Sequence, residues 1–137
     1  MTDSRRILFI INPISGLGLG KEVPEHIKKL PEYEHVVYDI VFTEYSGHAR
    51  KLVEEARTLG KYTHIVAVGG DGTVNEVGGA LCGSDIAFAV VSLGSGNGFA
   101  RHLGYSIFMS KALKQVLTEQ YVKIDVLQIN DKYSLNV

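Results

Sequence analysis

The stretch that decides the fold is IVAVGGDGTVNE, residues 65–76, in which four apolar residues run directly into three glycines and one aspartate. The apolar run predicts a buried strand, and the glycines predict a tight turn after it. Thr73 and Glu76 stand three residues apart, which is the spacing of a capping box and predicts that a helix begins at Thr73. We therefore expect a buried strand, a glycine turn and a helix N-terminus in succession.

A turn of this kind predicts a binding site for an anion such as phosphate. Gly69, Gly70 and Gly72 leave backbone N–H groups bare beside the positive end of the helix dipole. Asp71 lies among these donors and would repel a phosphate, so a metal ion or an acceptor hydroxyl is expected between the two. The alternative is that the glycines only allow the helix to pack on the sheet.

The composition indicates one domain of ordinary size. The chain has 137 residues, of which 45% are hydrophobic, and a formal net charge of −1. This charge argues against a nucleic-acid partner, which would require a basic face. The single cysteine, Cys82, excludes an intrachain disulfide and fits a reducing compartment. The apolar run 7–11 is too short for a signal peptide, so we expect a cytoplasmic protein.

Strand and helix patterns alternate along the chain. Apolar runs predict strands at 6–12, 35–43, 65–68 and 87–91. Helical patterns are found at 23–30, at 46–60 with Ser46 as the cap, at 73–81, and over most of 98–120. A hairpin is predicted at 122–130 and 132–137. The continuously apolar third and fourth strands predict a three-layer α/β/α fold around a mostly parallel sheet.

Nine of the 15 glycines fall into three clusters, and each cluster follows a predicted strand. The clusters are 16, 18, 20; 69, 70, 72; and 94, 96, 98. Because the carboxyl ends of parallel strands meet at one edge of a sheet, the three clusters are expected to lie together there, where open α/β folds bind ligands.

Four motifs make the sequence similar to the diacylglycerol kinase catalytic domain, the domain of lipid kinases that act on diacylglycerol and sphingosine. They occur in the family's order and approximate spacing: Asn12-Pro13-x-Ser15-Gly16, Thr43-x4-His48-Ala49, GGDGTVNEV at 69–77, and Leu93-Gly94-Ser95-Gly96-Asn97-x-Phe99-Ala100-Arg101. A GGDG motif alone also fits NAD kinases and phosphofructokinases, which share the broader superfamily. The resemblance implies a nucleotide-binding domain with the NAD-kinase/phosphofructokinase-like fold.

The resemblance implies an ATP site built from all three glycine loops. The residues it assigns to nucleotide binding are Asn12, Ser15, Gly16, Thr43, Gly69, Gly70, Gly72, Thr73, Glu76, Gly94, Ser95, Gly96 and Asn97. Asn12 as a plain turn residue and Glu76 as a helix cap remain open alternatives. Asp71 is the expected catalytic residue, which either holds Mg²⁺ or accepts the proton of the lipid hydroxyl.

One position departs from the family pattern. Gly98 stands where many diacylglycerol kinases carry an acid after the asparagine of the third loop. The departure leaves sphingoid or other lipid alcohols open as substrates beside diacylglycerol.

The chain stops at Val137 inside a predicted strand. We therefore expect a nucleotide-binding domain over 1–122 and, over 123–137, the start of a truncated β-rich second domain. A lipid kinase that uses ATP and a lipid alcohol is the expected function of the full-length protein, with peripheral membrane contact supplied by the second domain. Residues 1–137 alone are expected to be inactive. Apolar surface at a truncated interface also favours a homodimer. The alternatives are an NAD kinase-like enzyme and a fragment that binds nucleotide without activity.

Overall fold

The structure, a computed structural model, describes residues 4–93, 105–118, 125–129 and 132–136. The strands are β1 (Arg6–Ile11), β2 (Val37–Phe42), β3 (His64–Gly69), β4 (Ala87–Ser92), β5 (Asp125–Ile129) and β6 (Lys132–Asn136). The helices are a distorted turn, α1 (Ser15–Gly18), followed by α2 (Val23–Lys29), α3 (His48–Leu59), α4 (Asp71–Ala80) and α5 (Tyr105–Val116). Two short 3-10 turns, Leu19–Glu22 and Pro31–Tyr33, flank α2.

The first four strands form one sheet in the order β2-β1-β3-β4, and every pairing in it is parallel. The chain leaves β1 for β2 on one side and returns to β3 on the other side, so the strand order reverses at β1. A crevice is expected at such a point, outside the carboxyl ends of the strands. The predicted hairpin is confirmed as a separate antiparallel pair, β5 and β6.

The sheet is covered on both faces, which confirms the predicted three-layer α/β/α architecture. On one face Ile7, Phe9 and Ile11 of β1 are buried in a core shared with α2 and α5. On the other face Leu8 and Ile10 are buried in a core shared with α3 and α4. β1 is thus buried on both sides, as expected for a central parallel strand.

Two predicted helix starts are wrong. Helix α4 begins at Asp71, and its N-cap is Gly70, which is extended and makes no side-chain capping bond. Thr73 therefore lies inside the first turn, only 7% exposed, and Thr73 and Glu76 form no capping box. Ser46 does not cap α3 either, because that helix begins at His48 with left-handed Gly47 as its N-cap. Both helices have a glycine as the N-cap, and at Gly47 this residue allows the left-handed backbone conformation.

The fourth predicted helix is described only over Tyr105–Val116. The remainder of its predicted range, 98–104 and 119–120, lies outside the described residues. The same holds for the third glycine loop with Gly94, Ser95, Gly96 and Asn97, so the structure places none of these four candidate site residues.

A polar cluster at the outer strand fastens β2 to the segment before β3. The Tyr62 hydroxyl donates to Oδ2 of Asp39 at 2.6 Å, and Nζ of Lys61 lies 3.1 Å from the same oxygen. The hydrogen bond from Tyr62, followed by the smaller effect of the bond from Lys61, lowers the pKa of Asp39 below its ordinary value. Burial, followed by the bond to Asp39, raises the pKa of Tyr62 to about 12.

This cluster makes part of the stability depend on pH. Because the pKa of Asp39 is lower in the folded state, its contribution is present above the ordinary aspartate pKa of about 3.9 and is lost as pH falls through the folded value. Asp39→Asn is expected to lower the free energy of unfolding by about 0.5–1 kcal/mol at pH 7, and the difference should shrink as the pH falls below the ordinary aspartate pKa. Urea unfolding of both proteins across this range measures the effect, and a pH-independent difference would contradict it.

Candidate functional site

A cleft of about 680 Å³ opens at the carboxyl edge of the sheet, where the strand order reverses. Its walls come from the loop after β1, the loop after β2 and the first turns of α4. Five residues predicted from the sequence line it: Asn12, Thr43, Gly72, Thr73 and Glu76. Residues from three separate segments of the chain are therefore brought together. The volume of the cleft is typical of small-molecule sites.

Asn12 organises the loop after β1. Its backbone N–H donates to the Val68 carbonyl at 2.9 Å, which carries the β1–β3 pairing one residue past the end of β1. Its side-chain Oδ1 accepts the backbone N–H of Ile14 at 3.2 Å, and its own carbonyl accepts the N–H of Ser15 at 3.2 Å. Asn12 thus has the turn-forming role left open by the sequence, and it forms one wall of the cleft through that role.

The same loop stores backbone strain. Gly16 and Leu17 are both left-handed, with φ of 64° and 57°. Leu17 is the only described non-glycine residue with positive φ, and its side chain is 76% exposed. Strain of this kind persists only where the surrounding structure imposes it, and it concentrates in functional loops.

None of the three glycines of the central motif has a positive φ, so the backbone conformation does not require glycine at these positions. A Cβ on Gly69 would lie 2.9 Å from Oγ1 of Thr73 and 3.1 Å from Oγ of Ser15. Gly69 therefore lets the loop after β1 approach the first turn of α4. A Cβ on Gly70 or Gly72 would meet nothing within 4 Å, so bare backbone faces open space at both positions.

The two carboxylates of the motif differ in their surroundings. Asp71 is exposed at the first position of α4 and lies next to the lining residue Gly72 without lining the cleft itself. Glu76 lines the cleft one turn further on, and its Oε1 is buried without a hydrogen-bond partner among the described residues. A buried carboxylate oxygen left unpaired is unfavourable, which sets Glu76 apart from the other residues that line the cleft.

The donor set suits a cation that shares its ligands with phosphate. Within the part of the chain that the structure describes, no three acidic, histidine or cysteine side chains cluster as a complete metal site. Mg²⁺ is commonly held by one or two carboxylates together with substrate phosphates. Asp71, Glu76 and the hydroxyl of Thr73 offer hard oxygen ligands of the type such an ion prefers.

Sequence reasoning missed the wall that follows β2. Glu44, Tyr45 and Ser46 line the cleft beside Thr43. The available signal was their position, since residues that directly follow a parallel strand arrive at the same edge as the glycine loops. The Nδ1 atom of His48 accepts the backbone N–H of Glu44 at 3.0 Å, so this histidine shapes the loop from the first turn of α3.

Comparison with known proteins identifies the family. The sequence profile of the diacylglycerol kinase catalytic domain matches residues 6–129. The chain belongs to the diacylglycerol kinase catalytic domain family. This confirms the resemblance drawn from the four motifs.

Two relatives from the family carry the name of lipid kinases. The protein named probable lipid kinase YegS-like from Citrobacter koseri is 41% identical over 123 residues, covering 87% of this chain and 41% of that protein. Probable lipid kinase YegS from Escherichia fergusonii is 34% identical over 134 residues, covering 95% of this chain and 44% of that protein. The chain thus spans less than half of the length of these relatives.

The fold agrees with a solved structure of the family. A crystal structure described as a diacylglycerol kinase from Bacillus anthracis matches with a TM-score of 0.68 and 28% identity, over 97% of this chain and 49% of that one. Among the helices that the structure describes, none has both the length and the apolar character needed to cross a bilayer.

The contrast between the glycines gives a stability test. Gly69→Ala is expected to lower the free energy of unfolding by about 1–3 kcal/mol, because the new methyl group collides with Thr73 and Ser15. Gly72→Ala is the matched control and should change it by less than about 1 kcal/mol, since its methyl group enters open space at a helical position. Chemical denaturation measures both, and equal destabilisation would show that Gly69 has no special packing role.

Proposed function

We propose that this chain is the nucleotide-binding part of a lipid kinase that transfers the γ-phosphate of ATP to a lipid hydroxyl. The observation that carries the proposal is the cleft at the start of α4, which is lined by the bare backbone of Gly72 and by Glu76, whose Oε1 is buried and unpaired. Membership of the diacylglycerol kinase catalytic domain family supports the reaction class. A bound nucleotide would supply hydrogen-bond acceptors for the backbone N–H groups. It would also supply a donor or a bound cation for the carboxylate of Glu76.

The first turn of α4 binds the phosphates in this proposal. Its N-terminal N–H groups have no partner within the helix, and the helix dipole is positive there. Gly70 and Gly72 let phosphate oxygens approach the backbone closely, while Gly69 leaves room for the side chains of Ser15 and Thr73 beside it. The hydroxyls of Ser15, Thr43 and Thr73 and the backbone of Gly16 are proposed as further contacts, with Asn12 as the residue that shapes the loop.

Asp71 has the catalytic role in this proposal. When bound, Mg²⁺ neutralises the charge of the transferring phosphoryl group. Asp71 at the helix start, and Glu76 one turn on, are the residues that would hold it. Asp71 alternatively accepts the proton of the attacking hydroxyl, because its exposed carboxylate is open to a substrate.

The rest of the site is proposed on the family resemblance. Gly94, Ser95, Gly96 and Asn97 form the opposite lip of the nucleotide cleft. Residues 123–137 begin a second, β-rich domain that recognises the lipid, and the separation of the β5–β6 sheet from the main sheet supports this division. Diacylglycerol and sphingoid bases are the proposed substrate classes.

We also propose that the protein works in the cytoplasm with peripheral contact to the membrane, and that it forms a homodimer. Ile14 and Leu17 are large apolar side chains exposed by more than 70% in the loop beside the cleft, which supports contacts of either kind. The lipid substrate class makes contact with a bilayer surface necessary at some stage of the reaction.

A phosphate-transfer assay on the intact protein tests the proposal. With γ-labelled ATP, label is expected in a lipid extract and not in NAD⁺. Label that appeared in NAD⁺ alone would replace the lipid kinase with an NAD kinase-like enzyme. Nucleotide binding without label in either acceptor would reduce the chain to a binding module.

Asp71→Asn tests the catalytic role in the same assay. The substitution is expected to lower kcat/KM for the lipid by roughly 100- to 10,000-fold with the melting temperature unchanged, because it removes a catalytic charge from an exposed position. Asp85→Asn is the matched control: this aspartate is also exposed, but it precedes β4 at the opposite edge of the sheet, and near-normal turnover is expected. Near-normal turnover of Asp71→Asn as well would remove Asp71 from the mechanism.

A further inference from the structure

An aromatic pair forms the cleft wall after β2. The ring of Tyr45 stacks on the imidazole of His48, with centroids 4.5 Å apart and an interplanar angle of 13°. Tyr45 lines the cleft and is 55% exposed. His48 is held in turn by the backbone N–H of Glu44, which donates to its Nδ1 at 3.0 Å. One side of the Tyr45 ring is therefore fixed against His48 while much of the ring stays accessible.

This exposure distinguishes Tyr45 from tyrosines with a packing role. Tyr33 is 3% exposed, contacts the ring of Phe9 in the core, and donates its hydroxyl to the Leu113 carbonyl. Tyr62 donates to Asp39. Tyr45 instead presents a rigidly mounted ring at the mouth of a cleft, an arrangement that suits stacking of a second planar group.

The occupant follows from what the rest of the cleft offers. Gly72 and Thr73, at the positive end of α4, line the same cleft as Tyr45. A ligand that fills the cleft therefore meets an anion-binding turn at one wall and an aromatic ring at another. A nucleoside triphosphate carries both matching groups, a chain of phosphates and a planar base.

We propose that Tyr45, positioned by His48, is the stacking platform for the nucleobase of ATP. The inference rests on the proposed function, because it assumes that phosphates occupy the turn at Gly70 and Gly72. Stacking on an aromatic ring is worth about 1–3 kcal/mol per base and tolerates different bases. The platform therefore contributes affinity for the base with little preference among purines.

The test compares Mg·ATP with Mg·tripolyphosphate, which has the phosphates but no base. Calorimetric titration of the intact protein measures both dissociation constants. Tyr45→Ala is expected to raise the Kd for ATP about five- to thirtyfold, at the lower end of stacking energies because the ring is half exposed, and to leave tripolyphosphate unchanged. Tyr45→Phe keeps the ring and should stay within about twofold of the wild type.

Two further variants separate positioning from general damage. His48→Ala is expected to raise the Kd for ATP about two- to fivefold without changing that for tripolyphosphate, because the ring loses its support. Leu59→Ala removes another exposed large side chain, from the far end of the same helix, and should change neither constant.

The outcomes distinguish failure of the Tyr45 platform from failure of the proposed nucleotide site. Normal ATP binding by Tyr45→Ala, equal loss of both ligands, or wild-type ATP binding no tighter than tripolyphosphate binding would overturn the platform and leave the phosphate site standing. Wild-type protein that bound neither ligand would overturn the proposed function and the platform with it.

Discussion

The arrangement of the site depends on the parallel pairing of β1 with a neighbour on each side. In that register Ile11 lies opposite Phe42 of β2 and opposite Val68 of β3. The residues that come next in the chain are Asn12 after Ile11, Thr43 after Phe42 and Gly69 after Val68. These three must then lie side by side at one edge of the sheet. Burial of β1 on both faces holds this register, because a one-residue slip would move each of its side chains into the opposite core, where the packing partners differ.

The glycine motif adds a close approach of backbone to this edge. Gly69 leaves room for the side chains of both Ser15 and Thr73 beside it, so the loop after β1 and the first turn of α4 can both lie close to the end of β3. Gly70 and Gly72 are not required by dihedral angle or by packing, since neither has a positive φ and a Cβ at either position would meet nothing within 4 Å. We attribute glycine at these positions to the close approach of the proposed nucleotide, and Glu76, whose Oε1 is buried and unpaired, lines the same cleft as Gly72.

Much of this was predictable from the sequence because it depends on local pattern. Apolar runs located the strands, and their continuity indicated a parallel sheet with helices on both faces. Once the strands were placed, the motifs at Asn12, Thr43 and Gly69–Glu76 had to share one edge. The family resemblance followed from the order of these motifs, and the sequence profile confirms it.

The parts that failed depend on packing between distant segments. The capping-box spacing of Thr73 and Glu76 was misleading because Thr73 is drawn inward against Gly69, so the helix begins at Asp71 instead. Tyr45 has no motif of its own, and only the stacking on His48 and the position beside the cleft make it a candidate. The unpaired state of Glu76 likewise required coordinates, since the sequence left both a helix cap and a place in the nucleotide site open for this residue.

The most direct test of the account is a map of backbone amide shifts as Mg·ATP is added to isotopically labelled protein. The largest changes are expected at Gly70, Gly72 and Thr43, at the carboxyl edge of the sheet. Thr63 and Asp85, which lie at the opposite edge, should be unaffected. Changes centred on that opposite edge, or no changes at saturating nucleotide, would contradict a nucleotide cleft at the reversal of strand order.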